Sequence, residues 1–360
     1  MHVDPFIGTG GHGHTYPGAT VPFGMLQVTP VNGISEWDWC SGYHYSDSIA
    51  VGFSHLALSG TGIGDLADIL FMPINKEVDL SPTPLSRDSL HYKSKYSHKN
   101  EKASPGYYQV FLEDHNVNVE LTTALRTAYH KYTFAKDDKQ SVVIDLGFAI
   151  NWDKALQTSI TIEDEHTISG YRFSKGWAAN QKVFFVAKFS KPITEHHIYT
   201  DGNRVEKKSS EGEKSSAQLF FDTQDSSELF TKVALSSVSI ENAKDNLETG
   251  SFDFDMVKNE AEDTWNEALT KIEVETPIDS LKTIFYTAMY HAQVAPVTYS
   301  DKNGQFRKEN DEIITAENYT AYSTLSLWDT FRAEHPLLTL TAPEKVSDII
   351  NSMLAYYETK

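Results

Sequence analysis

What this chain has little of bounds it before any motif is read. It contains one cysteine, Cys40, in 360 residues. No intrachain disulfide can form, and a lone thiol to which no motif assigns a base reads as a small buried hydrophobe rather than a nucleophile. No apolar run reaches the ~18 residues that a membrane-spanning helix needs. No secretory leader follows Met1, which is succeeded at once by H-V-D-P-F-I-G. Basic residues are scarce: 31 Lys and Arg stand against 50 Asp and Glu, for a net charge of −19. That balance argues against nucleic acid or an anionic membrane as partner and is compatible with a neutral one. The length suffices for two domains of ordinary size, and the 12% aromatic share fits a packed globular chain.

What is present is concentrated between Trp37 and Asp65. Here W-D-W-C-S-G-Y-H-Y leads through a short apolar run into G-F-S-H-L-A-L-S-G-T-G-I-G-D. Trp37, Trp39, Tyr43, His44, Tyr45 and His55 are interleaved with Gly42, Gly52, Gly60, Gly62 and Gly64. Aromatic faces offer apolar area with little entropy to lose, and glycines let backbone approach a ligand closely. Asp38, Asp65 and Asp68 add acceptors for hydroxyl groups. The stretch therefore reads as a loop-built site for a polar ligand such as a sugar. The competing reading makes the large aromatics core and the glycines turns. S-G-T-G-I-G-D is a poor phosphate cradle, because it lacks the G-x-x-x-x-G-K-[ST] pattern and a following basic residue. His12 and His14 would share a strand face and could meet a metal with His44 or His55. Polar loop histidines are the plainer expectation, and no metal site is assigned to them.

Along the chain, residues 1–36 carry glycine or proline every few positions. That forbids a helix of useful length and leaves short strands, for example around Met25–Thr29. From about Ile69 to about Ile240 the period is two. Tyr108, Val110 and Leu112 alternate with other residues, as do Val117, Val119 and Leu121, and Ile160 and Ile162. Val142–Ile144 and Val183–Val186 are continuous apolar runs, and Tyr129–Phe134 and Leu219–Phe221 add strands. Ser104-Pro105-Gly106, Asp137-Asp138, Asp201-Gly202-Asn203 and Ser210-Glu211-Gly212 punctuate them as turns. This pattern predicts an antiparallel β-sandwich, with Glu206–Lys214 as a solvated hairpin. At about Ser251 the period changes. Val257, Ala261, Trp265, Ala268 and Leu269 lie on one helix face. Ile272 and Val274 then look strand-like. Leu281, Ile284, Phe285, Ala288, Met289 and Ala292 make a second helical stripe, and Ser326–His335 reads as a helix start or turn. Pro343 opens a third amphipathic helix carrying Val346, Ile349, Ile350, Met353, Leu354 and Tyr357. The expected organisation is a mainly β fold over 1–250, a helical linker over 251–295, and a further helical segment over 296–360.

Seven segments resemble glycoside hydrolase family 92. They are V-D-P-F-I-G-T-G (3–10), Y-P-G-A-T-V-P-F-G-M (16–25), W-D-x-x-x-G-Y (37–43), G-F-S-H-L-A-L-S-G-T-G (52–62), A-S-P-G-Y-Y (103–108), S-I-E-N-A (239–243) and S-L-W-D-T-F-R (326–332). Their order and spacing cover essentially the whole chain. The family comprises calcium-dependent, inverting, exo-acting α-mannosidases. The resemblance implies a sandwich followed by an (α/α)6 barrel, of which 296–360 would be the start. It implies terminal α-linked mannose as substrate, with α-1,2 linkage expected, on N-glycans or mannans. It also implies a secreted or periplasmic setting, so an export signal is expected to be missing from the sequence or the start to be that of a fragment.

Residue roles follow only where motifs match. Trp37 resembles the tryptophan that the sandwich lends to the sugar pocket. Asp329 and Arg332 resemble residues that grip hydroxyls of the terminal mannose. An arginine fork donates, a carboxylate accepts, and at i and i+3 the two would share a helix face, unless they merely pair with each other. His55, Gly60, Thr61 and Asp65 lie in or beside the family motif, where shaping a loop is as plausible as touching sugar. Trp39 and Cys40 would tune the outer rim of the pocket. An inverting glycosidase needs two carboxyl groups roughly 6.5–9.5 Å apart. No motif here assigns such a pair. The family's acid, base and calcium ligands come from the later part of its helical domain. No catalytic residue and no metal ligand is therefore assigned, and calcium is expected to be held outside these residues. A chain ending on an amphipathic helix is expected to be an amino-terminal fragment, inactive alone. The alternative function is a non-catalytic carbohydrate-binding β-sandwich module, and a purely structural sandwich is the third.

Overall fold

The structure is a computed structural model and describes residues 2–81, 86–135, 139–222, 226–247, 250 and 252–357. Two large sheets carry the β part, and all their strand pairings are antiparallel. The seven-stranded sheet runs Thr29–Val31, Gly52–Ser54, Leu70–Ile74, Gln140–Asp145, Ser215–Phe221, Ile193–Thr200 and Asn203–Val205. The nine-stranded sheet runs Ser209–Gly212, Lys154–Ile162, Thr167–Lys175, Gln181–Phe189, Glu228–Ser236, Thr127–Phe134, Val117–Thr123, Tyr107–Leu112 and Glu101–Ser104.

Period two puts alternate residues on one face, and register aligns those faces into rows. In the smaller sheet Phe53, Phe71, Ile144, Ala217 and Ile198 form one such row, all buried. In the larger sheet Val110, Val119, Tyr132 and Leu229 form another, also buried. Both rows belong to a single hydrophobic core. Rings meet across it, as with Phe53 and Tyr108 at 6.5 Å and Phe189 and Phe221 at 4.9 Å between centroids. The expected mainly β fold, with helices after it, is the observed one.

The helices are α1 (Ile240–Asn246), α2 (Phe254–Leu269), α3 (Asp279–His291), α4 (Leu327–Thr330), α5 (Glu334–Thr341) and α6 (Pro343–Tyr357). On α2 the residues at i, i+4, i+8 and i+12 (Val257, Ala261, Trp265 and Leu269) are buried, and Asp253 caps the first turn by accepting from the Met256 N–H. The Trp265 indole donates to the Thr20 carbonyl at 2.7 Å, tying α2 to the glycine-rich amino-terminal segment. Phe23 in that segment packs with Tyr322, Leu338, Ala342 and Ile349, which fixes α5 and α6 to it. Asp301 closes the junction. It accepts from Ser236, Asn242 and Asn246, linking the last sandwich strand, α1 and the loop after α3.

Three expectations are corrected. Ser210-Glu211-Gly212 is not a turn but lies in a strand, because the Ser210 hydroxyl bonds Thr200 and Ser215 and its backbone pairs with 158–161. Ile272 and Val274 form no strand. Ile272 instead packs beside Trp265 and Met289 in the link between α2 and α3. The early strand lies at Thr29–Val31 rather than 25–29, with Val28 in a single bridge to Ala19. The Asp137-Asp138 turn and the change of period at Ser251 fall outside the described residues. The helical stripes are only partly covered: Leu281 and Ile284 on α3, and Ile350, Leu354 and Tyr357 on α6, are exposed.

Candidate carbohydrate site

One end of the sandwich gathers loops from four parts of the chain. The first carries Trp37, on a single 3-10 turn (Trp37–Trp39) that has no room in the core. Its indole is 53% exposed, yet its Nε1 donates to the Gly62 carbonyl at 3.1 Å. The His14 and His12 rings lie against it, with centroids at 4.4 and 5.1 Å. Asp38 accepts from His12 Nδ1 at 2.6 Å, and that hydrogen bond draws the Asp38 carboxyl below its ordinary pKa. Burial pulls His14 down, with Asp38 opposing. Two polar atoms here are buried without a hydrogen-bond partner, His14 Nε2 and Trp39 Nε1.

The second loop is the glycine-rich stretch. The Gly60 N–H donates to the His14 carbonyl at 2.8 Å, and the Thr61 hydroxyl sits 3.5 Å from the Ile63 carbonyl. A Cβ on Gly64 would lie 1.7 Å from Asn151 Nδ2, so only glycine lets the third loop approach. Asn151 in turn bonds Ser35 and the Glu36 carbonyl. Asp65 is buried, and its carboxylate accepts from the Leu66 and Ala178 N–H groups. It therefore holds the fourth loop in place rather than presenting an oxygen to solvent.

Beneath these loops lies a buried charge cluster that sequence reading did not identify. Arg172 bonds Asp68 and Asp153 and donates to the Leu146 and Phe148 carbonyls. Asp68 also accepts from Gln181. Two carboxyl groups face one guanidinium, and burial raises the pKa of Asp68 as well as that of Asp153. Burial raises the Asp153 pKa to about 6, against the pull of Arg172. Burial pulls Arg172 down, but Asp68 and Asp153 outweigh it and hold the guanidinium charged. Asp68, expected as a hydroxyl acceptor, is thus fully occupied inside the protein.

The remaining sequence-derived residues fall elsewhere. His55 is completely buried in the core. One ring nitrogen bonds the Ile69 carbonyl and the other meets His130 at 3.0 Å, out of reach of a surface ligand. Cys40 is buried too, and cannot form a rim. Trp39 is half-buried against His44. Asp329 and Arg332 are exposed, one on α4 and the other just after it. Asp329 accepts from the Ser326 hydroxyl, and Arg332 lies over the Phe331 ring. They do not pair with each other, and α4 ends at Thr330, so they share no helix face. Among the described residues no hydrogen bond or ring contact links them to the Trp37 loops. Trp328 beside them is 85% exposed. Glu334 follows, its pKa pushed up to about 7 by burial and then by Asp329, with Oε1 unbonded. A groove of about 630 Å3 between α2 and the α5–α6 turn, lined by Val257, Ala261 and Lys345 among others, contains none of the expected site residues. Among the described residues no cluster of three or more His, Cys, Asp or Glu is placed to hold a metal ion.

The fold is an antiparallel two-sheet domain followed by a helical segment, with exposed tryptophans on loops of the β part. The model of the glycosyl hydrolase family 92 N-terminal domain matches residues 2–236, and that of the family's catalytic domain matches 242–360. The chain belongs to glycosyl hydrolase family 92. A family GH92 α-mannosidase of Bacteroides thetaiotaomicron, BT3965, is 36% identical with a TM-score of 0.94, over 100% of this chain and 49% of that one. The same organism's GH92 inverting mannosidase BT2199 is 26% identical with a TM-score of 0.85, over 99% and 48%. An uncharacterized secreted glycosidase of Arthroderma benhamiae is 24% identical over 84% of this chain and 42% of its own length. The chain thus spans about half the length of these relatives. No helix among the described residues is long and apolar enough to cross a membrane.

Proposed function

We propose that this chain forms the substrate-contacting front of an exo-acting α-mannosidase that removes terminal α-linked mannose, of α-1,2 linkage, from N-glycans or mannans with inversion. The observation that carries the reading is Trp37. It is an indole kept partly in solvent by a hydrogen bond at its edge, beside the His12 and His14 rings, in a chain 36% identical to an α-mannosidase whose mannoimidazole complex is known. The indole face suits the C–H face of a pyranose. For Asp329 and Arg332 the reading rests on the family motif alone, which gives them an acceptor and a fork of donors for sugar hydroxyls. A secreted or periplasmic setting and a calcium requirement belong to the proposal. No step is routed through calcium, and no acid or base is assigned among these residues.

The test is calorimetric titration of the 360-residue chain with methyl α-mannoside, alongside an aryl α-mannoside hydrolysis assay in calcium. The expected result is binding that Trp37→Ala abolishes, without hydrolysis. Turnover that Asp329→Ala removes would overturn the assignment of catalysis to other residues. Equal binding by Trp37→Ala would remove Trp37 from the site.

A further inference from the structure

Two further tryptophans stand in the loop cluster, and the α-mannosidase reading leaves them unused. Trp152 is 56% exposed and Trp177 is 69% exposed, and their rings lie 6.2 Å apart at 46°. Large aromatics held in water at neighbouring positions mark a contact surface rather than a packing remnant. Both loops are pinned from below. Asp65 accepts from the Ala178 N–H, and the Gly176 N–H donates to the Ala178 carbonyl, which fixes the turn under Trp177. A Cβ on Gly176 would come within 2.6 Å of Asp65 Oδ1, so the turn sits directly on that carboxylate. Asp153, next to Trp152, is held by Arg172 and by its own N–H to the Ile150 carbonyl. Asn151, on the other side, is locked to Ser35 and Glu36. The two indoles are therefore presented by a fixed frame, so little conformational freedom is lost on binding.

We propose that Trp152 and Trp177 form a second carbohydrate-contacting surface, a stacking platform for a neutral pyranose of the glycan other than the sugar held at Trp37. It rests on the glycan reading above and deepens it. The chain's net charge of −19 disfavours a polyanion such as a nucleic acid, whose phosphates need cations to meet them. A hydroxyl-rich uncharged ring needs only the aromatic faces. The platform joins the Trp37 loop through Asn151 and Glu36, without ring contact between Trp37 and either indole. In this proposal the glycan's terminal sugar meets Trp37 and a more internal sugar meets the platform.

The test compares methyl α-mannoside with an α-linked mannotetraose by isothermal titration of the 360-residue chain and of Trp152→Ala, Trp177→Ala and Trp37→Ala. Both platform residues are exposed, and circular dichroism checks that each variant retains its fold. The tetrasaccharide is expected to bind about tenfold more tightly than the monosaccharide. Trp152→Ala and Trp177→Ala should each erase most of that advantage and leave methyl α-mannoside binding unchanged. An advantage that survives both substitutions overturns the platform while leaving the α-mannosidase reading intact. Platform-dependent tetrasaccharide binding with Trp37→Ala indistinguishable from the parent overturns the role of Trp37 and keeps the platform. No binding of either sugar to the parent chain overturns both. If sedimentation shows that the substitutions abolish self-association and leave tetrasaccharide affinity untouched, the pair serves a protein contact and the proposal falls.

Discussion

Replacing Arg172 by methionine probes the frame on which the site is built. Arg172 is buried and makes four contacts, to Asp68, Asp153 and the Leu146 and Phe148 carbonyls. Methionine keeps much of the stem and removes every donor. Two carboxylates are then buried with no cation between them. Breaking a buried pair by removing one partner costs about 3–5 kcal/mol, a large share of the roughly 5–15 kcal/mol that keeps a domain folded. The loss carries a pH signature. In the parent, burial pushes the Asp153 pKa up to about 6, above the ordinary carboxylate value, so the folded chain holds that proton longer than the unfolded one. Stability from this group therefore falls as pH rises through roughly 4 to 6 and is flat above. Without Arg172 both carboxyl groups lose their attracting charge, and the window extends upward. The stability gap between parent and variant should be about 3–5 kcal/mol at pH 8. It should shrink near pH 4.5 towards the ~1–2 kcal/mol of lost hydrogen bonds, since protonated carboxyls need no counter-charge. Urea unfolding of both proteins at the two pH values reads this directly. Contributions from other titrating groups are common to both proteins and cancel in the difference. A gap that is equal at the two pH values, or below ~1 kcal/mol at pH 8, refutes the argument.

Two further outcomes follow from buried titratable groups. His55 and His130 form a neutral chain across the core: Tyr132 O–H donates to His130 Nδ1, His130 Nε2–H to His55 Nε2, and His55 Nδ1–H to the Ile69 carbonyl. Burial lowers the His55 pKa to about 4 from 6.5, so its stabilisation is full above about 6.5 and is lost as pH falls, by roughly 2 kcal/mol at pH 5. Relative to a His55→Leu, His130→Leu double variant, the parent should lose stability between pH 7 and 5. Parallel urea profiles would contradict the assignment. Glu334 has the opposite sign, with a folded pKa of about 7, so its charge destabilises the fold as pH rises from about 4.5 to 7. Glu334→Gln should raise the melting temperature at pH 8, by a free energy of about 1 kcal/mol once solvent screening is allowed for, and leave it unchanged near pH 4. A variant that melts lower at pH 8 would show that the carboxylate has a partner in solution.

The strands were legible because alternation and burial agree: the residues at i, i+2 and i+4 in Tyr107–Leu112 and Val117–Thr123 are the ones that reach the core. Alternation did not place His55: Gly52–Ser54 is buried at every position and His55 lies in the bend after it, so membership of a motif suggested a ligand contact where the core was the outcome. Helix α1 went unread because seven residues show too little periodicity, and its signal was the Ser239 cap. Asp329 and Arg332 were placed on one helix face by spacing, but α4 lasts only four residues. Spacing fixes a shared face only where the helix persists.

Arg172 shows where sequence reading runs out. In Thr167–Lys175 the inward positions are Ile168, Gly170, Arg172 and Ser174, and a charged residue there contradicts the binary pattern. Its two carboxylates come from residues 104 and 19 positions away, and local pattern does not foresee that pairing. The tryptophans it supports are likewise single aromatics in polar loops, 25 residues apart in sequence and adjacent only through that cluster. A buried ion cluster adds little net stability over an apolar replacement. Its place beneath loops that carry exposed indoles is better explained by what it orients. The fold therefore ties site geometry to a few desolvated charges. A substitution at Arg172 should disturb sugar contact at Trp152 and Trp177 even where enough stability remains to fold.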